Sequence, residues 1–86
     1  MKDRFFSYLL ERMYTEKTSR DYARRVAIVC EKEGLSWKEF INDINKIVCD
    51  YDWGGKKSEL GNKSHRAVIN ALKRFQEFIL ENNVKI

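Results

Sequence analysis

The stretch Ser36-Trp37-Lys38-Glu39-Phe40-Ile41-Asn42-Asp43-Ile44-Asn45-Lys46-Ile47-Val48-Cys49-Asp50-Tyr51 decides the fold class. Trp37, Phe40, Ile41, Ile44, Ile47, Val48 and Tyr51 recur at three- and four-residue steps, which places them on one face of a helix. Ser36 and Glu39 form a capping box. The serine oxygen takes the backbone N–H three residues on, and the glutamate reaches back to the serine N–H. The spacing predicts one helix ending near Tyr51 to Trp53, before Gly54-Gly55.

The same period extends outward in both directions. Phe5, Phe6, Leu9, Leu10 and Met13 define a first helix from about Asp3 to Tyr14, with Asp3 suited to the helix dipole. A second helix opens at Thr18 or Ser19, each a good cap. It carries Tyr22, Val26, Val29 and Cys30 on its apolar stripe, widened by Ala23 and Ala27. Gly34 ends it in a left-handed conformation, with Lys32 in the last turn. Residues 54–63, Gly54-Gly55-Lys56-Lys57-Ser58-Glu59-Leu60-Gly61-Asn62-Lys63, read as a loop. The last helix begins near Asn62 or Ser64 and runs to about Glu81, closed by Asn82-Asn83. Its core face is Val68, Ile69, Leu72, Phe75, Phe78 and Ile79. No strand period occurs, so the expected fold is all-α, a four-helix orthogonal bundle forming one domain over residues 1–86.

The totals agree. The 86 residues are 43% hydrophobic and 13% aromatic, enough for one core, and 35% charged, too ordered a mixture for disorder. There is no proline. No apolar run approaches the ~18 residues of a membrane span. Met1-Lys2-Asp3-Arg4-Phe5-Phe6 has charges of both signs and lacks a signal-peptide core. Cys30 and Cys49 stand at no ligand spacing, and with one histidine they fall short of a structural zinc site. Both are expected to be reduced and at least half-buried in a cytoplasmic protein, and no metal or cofactor is expected.

The formal net charge is +4. Its distribution matters more than its size. One cluster is Lys17, Arg20, Arg24 and Arg25, opposed locally by Asp21, with Lys17, Arg20 and Arg24 on one face. The other holds Lys56, Lys57, Lys63, Arg66, Lys73 and Arg74 against Glu59, with Lys63, Arg66, Asn70 and Lys73 tracing a stripe away from the core. Basic side chains neutralise phosphates and release counterions, while hydroxyls and helix openings donate further hydrogen bonds. The candidate DNA-binding residues are therefore Lys17, Thr18, Ser19, Arg20 and Arg24 at one opening and Lys63, Ser64, His65, Arg66 and Lys73 at the other. The two openings are expected to lie side by side as one concave grip. No residue set with the makings of a catalytic site stands out: His65 has neither a nucleophile nor an orienting acid marked around it. Trp37, Phe40, Phe75 and Phe78 lie on core stripes, and Trp53 is expected to be a lid on the core.

Lys17-Thr18-Ser19-Arg20-Asp21-Tyr22, and more so Ser64-His65-Arg66-Ala67-Val68-Ile69-Asn70-Ala71-Leu72-Lys73-Arg74-Phe75 continuing through Phe78-Ile79, resemble the N-terminal core-binding (SAM-like) domain of tyrosine recombinases of the phage integrase family. In that family the last helix typically opens with a small hydroxyl residue and carries an Ala-Leu-basic triplet before a core aromatic. Two departures stand out: Asn82-Asn83-Val84 lacks the Asn-Pro that often follows this helix, and Gly54-Gly55-Lys56-Lys57 is not a family feature. The resemblance implies a SAM-like fold and double-stranded DNA as partner. It further implies a separate C-terminal catalytic domain, absent from this chain, and other recombinase protomers in a synaptic complex. On that basis the chain positions DNA and performs no chemistry. The alternative is a helical protein–protein interaction module with an exposed apolar patch from Phe5, Phe6, Tyr8 and Trp53. A helix-turn-helix repressor would need a short turn between two recognisable helices, which the glycine-lysine loop does not provide.

Overall fold

The computed structural model describes residues 1–82 and, among them, every side chain except those of Ser64 and His65. The described residues form helices and no strand. In chain order these are α1 (Lys2–Glu11), α2 (Glu16–Lys32), α3 (Trp37–Asn42), α4 (Ile44–Tyr51), α5 (Ser58–Gly61) and α6 (Lys63–Asn82). None is long and apolar enough to cross a membrane. The expected closing role of Asn83 falls outside the described residues; Asn82 donates its amide to the Phe78 carbonyl at 3.0 Å.

Among the described residues six helices stand where four were expected, for local reasons. The expected third helix breaks at Asp43, which leaves helical geometry at φ −99° and ψ 10°. Asn42 and Asp43 are poor interior helix residues, because their side chains compete for backbone groups. The bend lets α3 deliver Trp37 and Phe40 to the Phe75 ring, at centroid distances of 6.0 and 5.5 Å. Beyond the bend, α4 runs alongside α6. The capping box forms as expected, with Glu39 N–H donating to Ser36 Oγ at 3.2 Å and Ser36 N–H to Glu39 Oε1 at 3.0 Å.

Helix α2 starts earlier than expected. Thr15, not Thr18 or Ser19, is the cap, its Oγ1 accepting the Thr18 N–H at 3.1 Å. Two Schellman turns flank α2. In the first, Tyr14 N–H reaches the Leu9 carbonyl and Met13 N–H the Leu10 carbonyl, ending α1 at Glu11 rather than Tyr14. Met13 occupies the left-handed seat at φ 70° and is 90% exposed, so it leaves the core face assigned to it. In the second, Gly34 at φ 68° takes that seat, with Leu35 N–H on the Cys30 carbonyl.

The core centres on Phe75, which is 0% exposed. Phe5 meets it edge-on at 5.1 Å, and Phe78 lies 5.9 Å away. Leu9, Val26, Val29, Ile44, Ile47, Val48, Ile69, Leu72 and Ile79 complete the packing, while Val68 is only partly buried. Phe5 and Tyr8 are buried and Phe6 partly so, hence the apolar patch of the protein-interaction alternative does not form. Cys30 is buried; Cys49 is exposed, against expectation, because it falls on the outer side of α4.

The 54–63 segment is not simply a loop. It carries α5 and folds back under α4. Lys57 N–H donates to the Asp50 carbonyl at 2.7 Å. A Cβ at Gly61 would run into the Tyr51 carbonyl, and one at Gly55 into the carbonyls of Cys49 and Asp50. The phenol of Tyr51, beneath this strap, donates to Glu33 Oε2 at 3.2 Å, and Lys57 forms an ion pair with the same carboxylate. Burial, and then the negative charge of Glu33, push the Tyr51 hydroxyl up to about 12.

Two outcomes follow. Gly61→Ala forces backbone against backbone and should cost about 2–3 kcal/mol, a fall in Tm of roughly 10 °C or more. Gly54→Ala meets open space and bears only the left-handed penalty of about 1 kcal/mol. Thermal melts of both variants decide this; equal shifts would mean that the strap yields. For Tyr51, the raised folded value means that its contribution is complete below the unfolded value and is lost as pH climbs towards about 12. Stability should fall by on the order of 2 kcal/mol over that alkaline range, with a flatter fall in Tyr51→Phe. Urea midpoints across the range measure it, and parallel curves would count against the assignment.

Candidate nucleic-acid interface

Helix α2 is amphipathic, so burying Ser19, Ala23, Val26 and Cys30 turns the opposite side outward. That outer side carries Lys17, Arg20, Asp21, Arg24, Arg25, Ile28 and Lys32. Lys17, Thr18, Arg20, Asp21, Tyr22 and Arg24 border one shallow depression at its first half. The expected hydroxyl of Ser19 is not among them. Ser19 is 0% exposed, its Oγ lies against the core without a hydrogen-bond partner, and it is no surface contact. Thr18 stays at the rim, half-buried.

The cations of α2 are partly compensated. Arg20 pairs with Glu16 one turn back. Asp21 accepts from Arg25 Nε at 2.7 Å and from Arg24 at 2.9 Å. The hydrogen bond from Arg25, more than that from Arg24, holds the Asp21 carboxyl below the usual carboxylate range against the opposing effect of partial burial. Lys17 and Lys32 have no ion-pair partner among the described residues.

At the opening of α6 the expected residues separate. Lys63 is exposed. Arg66 and Lys73 turn the other way, towards the end of α4, and share Asp52, whose two oxygens receive them at 3.0 Å each. Arg66 stands at φ 70°, a left-handed conformation that costs a non-glycine residue about 1–2 kcal/mol. Its guanidinium lies 5.0 Å from the centre of the Trp53 ring. Trp53 itself is 68% exposed and is not the expected lid. Ser64 and His65, both candidate contacts, fall among the side chains outside the description.

The two helix openings do not converge. Tyr14, just before α2, packs against Tyr22 at 5.9 Å and accepts from Arg74 at 3.4 Å. At its far end α2 sets Arg25, Val29 and Lys32 beside Lys63 and Val68. The helices are therefore antiparallel, and the openings lie at opposite ends of the pair, with α2 alone spanning about 1.5 Å per residue between Arg20 and Lys32. The expected concave grip of Arg20 with Arg66 is absent. In its place, Arg25, Lys32 and Lys63 rim a groove of about 180 Å³ floored by Val29, Tyr51, Leu60 and Val68. Sequence reasoning left Arg25 and Lys32 out of the site. The signal was present in Arg25, Ile28 and Lys32 at three- and four-residue spacing, continuing the face of Lys17 and Arg24.

Asp52 offers a test of the local electrostatics. The hydrogen bond from Lys73, then that from the Trp53 N–H, hold its carboxyl below the usual range, with the Arg66 charge adding to them. A lowered folded value means that the stabilisation is present above the unfolded value and vanishes as pH falls through the folded one. Asp52→Asn should therefore be less stable at neutral pH and show a shallower acid limb. Denaturant midpoints from neutrality down to acid compare the two, and an unchanged limb would remove Asp52 from this role.

No family model, curated protein or solved structure matches the chain.

Proposed function

We propose that the chain is a DNA-binding module that grips the phosphate backbone of a duplex and positions it for a separate catalytic domain, as the core-binding domain of an integrase-type recombinase would. In this reading α1, α2, the bent pair α3–α4 and α6 are the four helices of a SAM-like bundle, and α5 is an added turn. The catalytic domain and further recombinase protomers are its protein partners, and no bond-making step is assigned to the chain itself.

One observation carries the reading. The outer face of α2 is a ridge of cations from Lys17 to Lys32, extended across the groove by Lys63. Fifteen helical steps cover about 22 Å, the rise of roughly six base pairs. The pairs that Arg20 and Arg24 make with Glu16 and Asp21 are largely exposed, worth about 0–1 kcal/mol each, so phosphates can replace those carboxylates cheaply, while the pair of Arg25 with Asp21 is partly buried and is held more firmly. The contacts are to backbone, and sequence preference is weak.

Fluorescence anisotropy of a labelled duplex, titrated across salt, is the test. With about four or five phosphates neutralised, the logarithm of the binding constant should fall with the logarithm of salt at a slope near −4. Arg24→Ala and Lys32→Ala should each reduce that slope by about one and weaken unrelated duplexes alike. A folded protein that binds no duplex, or binds one independently of salt, overturns the proposal.

A further inference from the structure

Among the aromatic side chains, Trp53 stands apart. Phe5, Tyr8, Phe40, Tyr51, Phe75 and Phe78 are buried, and Phe6, Tyr14, Tyr22 and Trp37 are half-buried. Trp53 is 68% exposed, with its backbone anchored and one face of its ring covered. Its backbone N–H donates to Asp52 Oδ1 at 2.9 Å. The Arg66 guanidinium covers one side of its ring at 5.0 Å, and Asp52 fixes both Arg66 and Lys73. The chain then turns away at Gly54, φ 80°, whose missing Cβ would meet nothing within 4 Å. Lys56 follows, exposed.

An exposed indole backed on one face by a guanidinium, with cations in excess of the single carboxylate between them, suits a partner that is flat, apolar and flanked by negative charge. A nucleobase with its two phosphates has that form. Inside a duplex both faces of a base are occupied by its neighbours, so only an unpaired base can stack here. We propose that Trp53 and Arg66 form a stacking site for an unpaired base of single-stranded DNA, with Lys56 and Lys73 taking adjacent phosphates. This rests on the reading of the chain as a DNA binder. It adds that the bound DNA has a locally open strand.

The probes are a thymidine oligomer of about 12 nucleotides, within the usual range of single-strand sites, and a blunt duplex of equal length. Trp53 emission is the difference between the native protein and Trp53→Phe, and anisotropy of the labelled DNA reports binding independently. The oligomer should quench Trp53 saturably. Trp53→Ala should weaken oligomer binding by about tenfold while leaving blunt-duplex binding and Tm unchanged. Oligomer binding without quenching, and unaffected by Trp53→Ala, overturns the stacking site and leaves the backbone grip standing. Quenching by an acidic, leucine-containing peptide in place of the oligomer assigns the patch to a protein and likewise overturns it. If neither oligomer nor duplex binds, both readings fall.

Discussion

The packing of other rings around Phe75 is the constraint on which the rest depends. Phe5 from α1, Trp37 and Phe40 from α3 and Phe78 from α6 itself all approach this one side chain. Aromatic pairs add about 0.5–1.5 kcal/mol beyond the area that they bury. In a chain too small for a large core, such a cluster decides which helices can touch. It commits one side of α6 to the interior and leaves its flanks to α2 and α4. Gln76 meets Asn45 near the start of α4, and Lys73 meets Asp52 past its end, so α4 runs antiparallel to α6 as α2 does. The positions of the cations on α2 and α6 follow from that sandwich.

The sequence was legible where the determinant was local. The capping box at Ser36, the left-handed Gly34, and the buried run Ile69, Leu72, Phe75, Phe78 and Ile79 of α6 each depend on residues within a turn or two of one another. What it hid was relational. That α2 and α6 are antiparallel depends on where α3 and α4 take the chain, and no spacing inside either helix records it. Hence Lys17 and Lys63 were recognisable as exposed cations, but not as lying at opposite ends of a helix pair. Ser19 was misplaced for a different reason. Its hydroxyl suggested a cap, although it precedes Ala23, Val26 and Cys30 at core spacing. Trp53 lies just beyond the last helical residue of α4, where periodicity no longer predicts direction.

The charges of this surface are shared unevenly between carboxylates and cations. Arg24 and Arg25 divide one carboxylate, and Arg66 and Lys73 divide another. In each case one negative group orients two cations and leaves a surplus positive charge. Such an arrangement preorganises long side chains, which otherwise lose about 1.5–2 kcal/mol of rotamer freedom on being held by a ligand. Each carboxylate thus orients two cations at once, Asp21 those of one face of α2 and Asp52 those that α6 turns towards the end of α4.

The two Schellman turns have a consequence for α2 as a mechanical part. The helix is bounded by a left-handed residue beyond each end, Met13 before its cap and Gly34 after its last turn. Each reversal fixes the register in which the chain enters or leaves. Sliding the sequence by one residue would turn every side chain about 100° around the axis and would have to undo both reversals together. α2 is in effect keyed like a shaft in two slotted bearings, and any pattern printed on its outer surface is presented at one fixed angle.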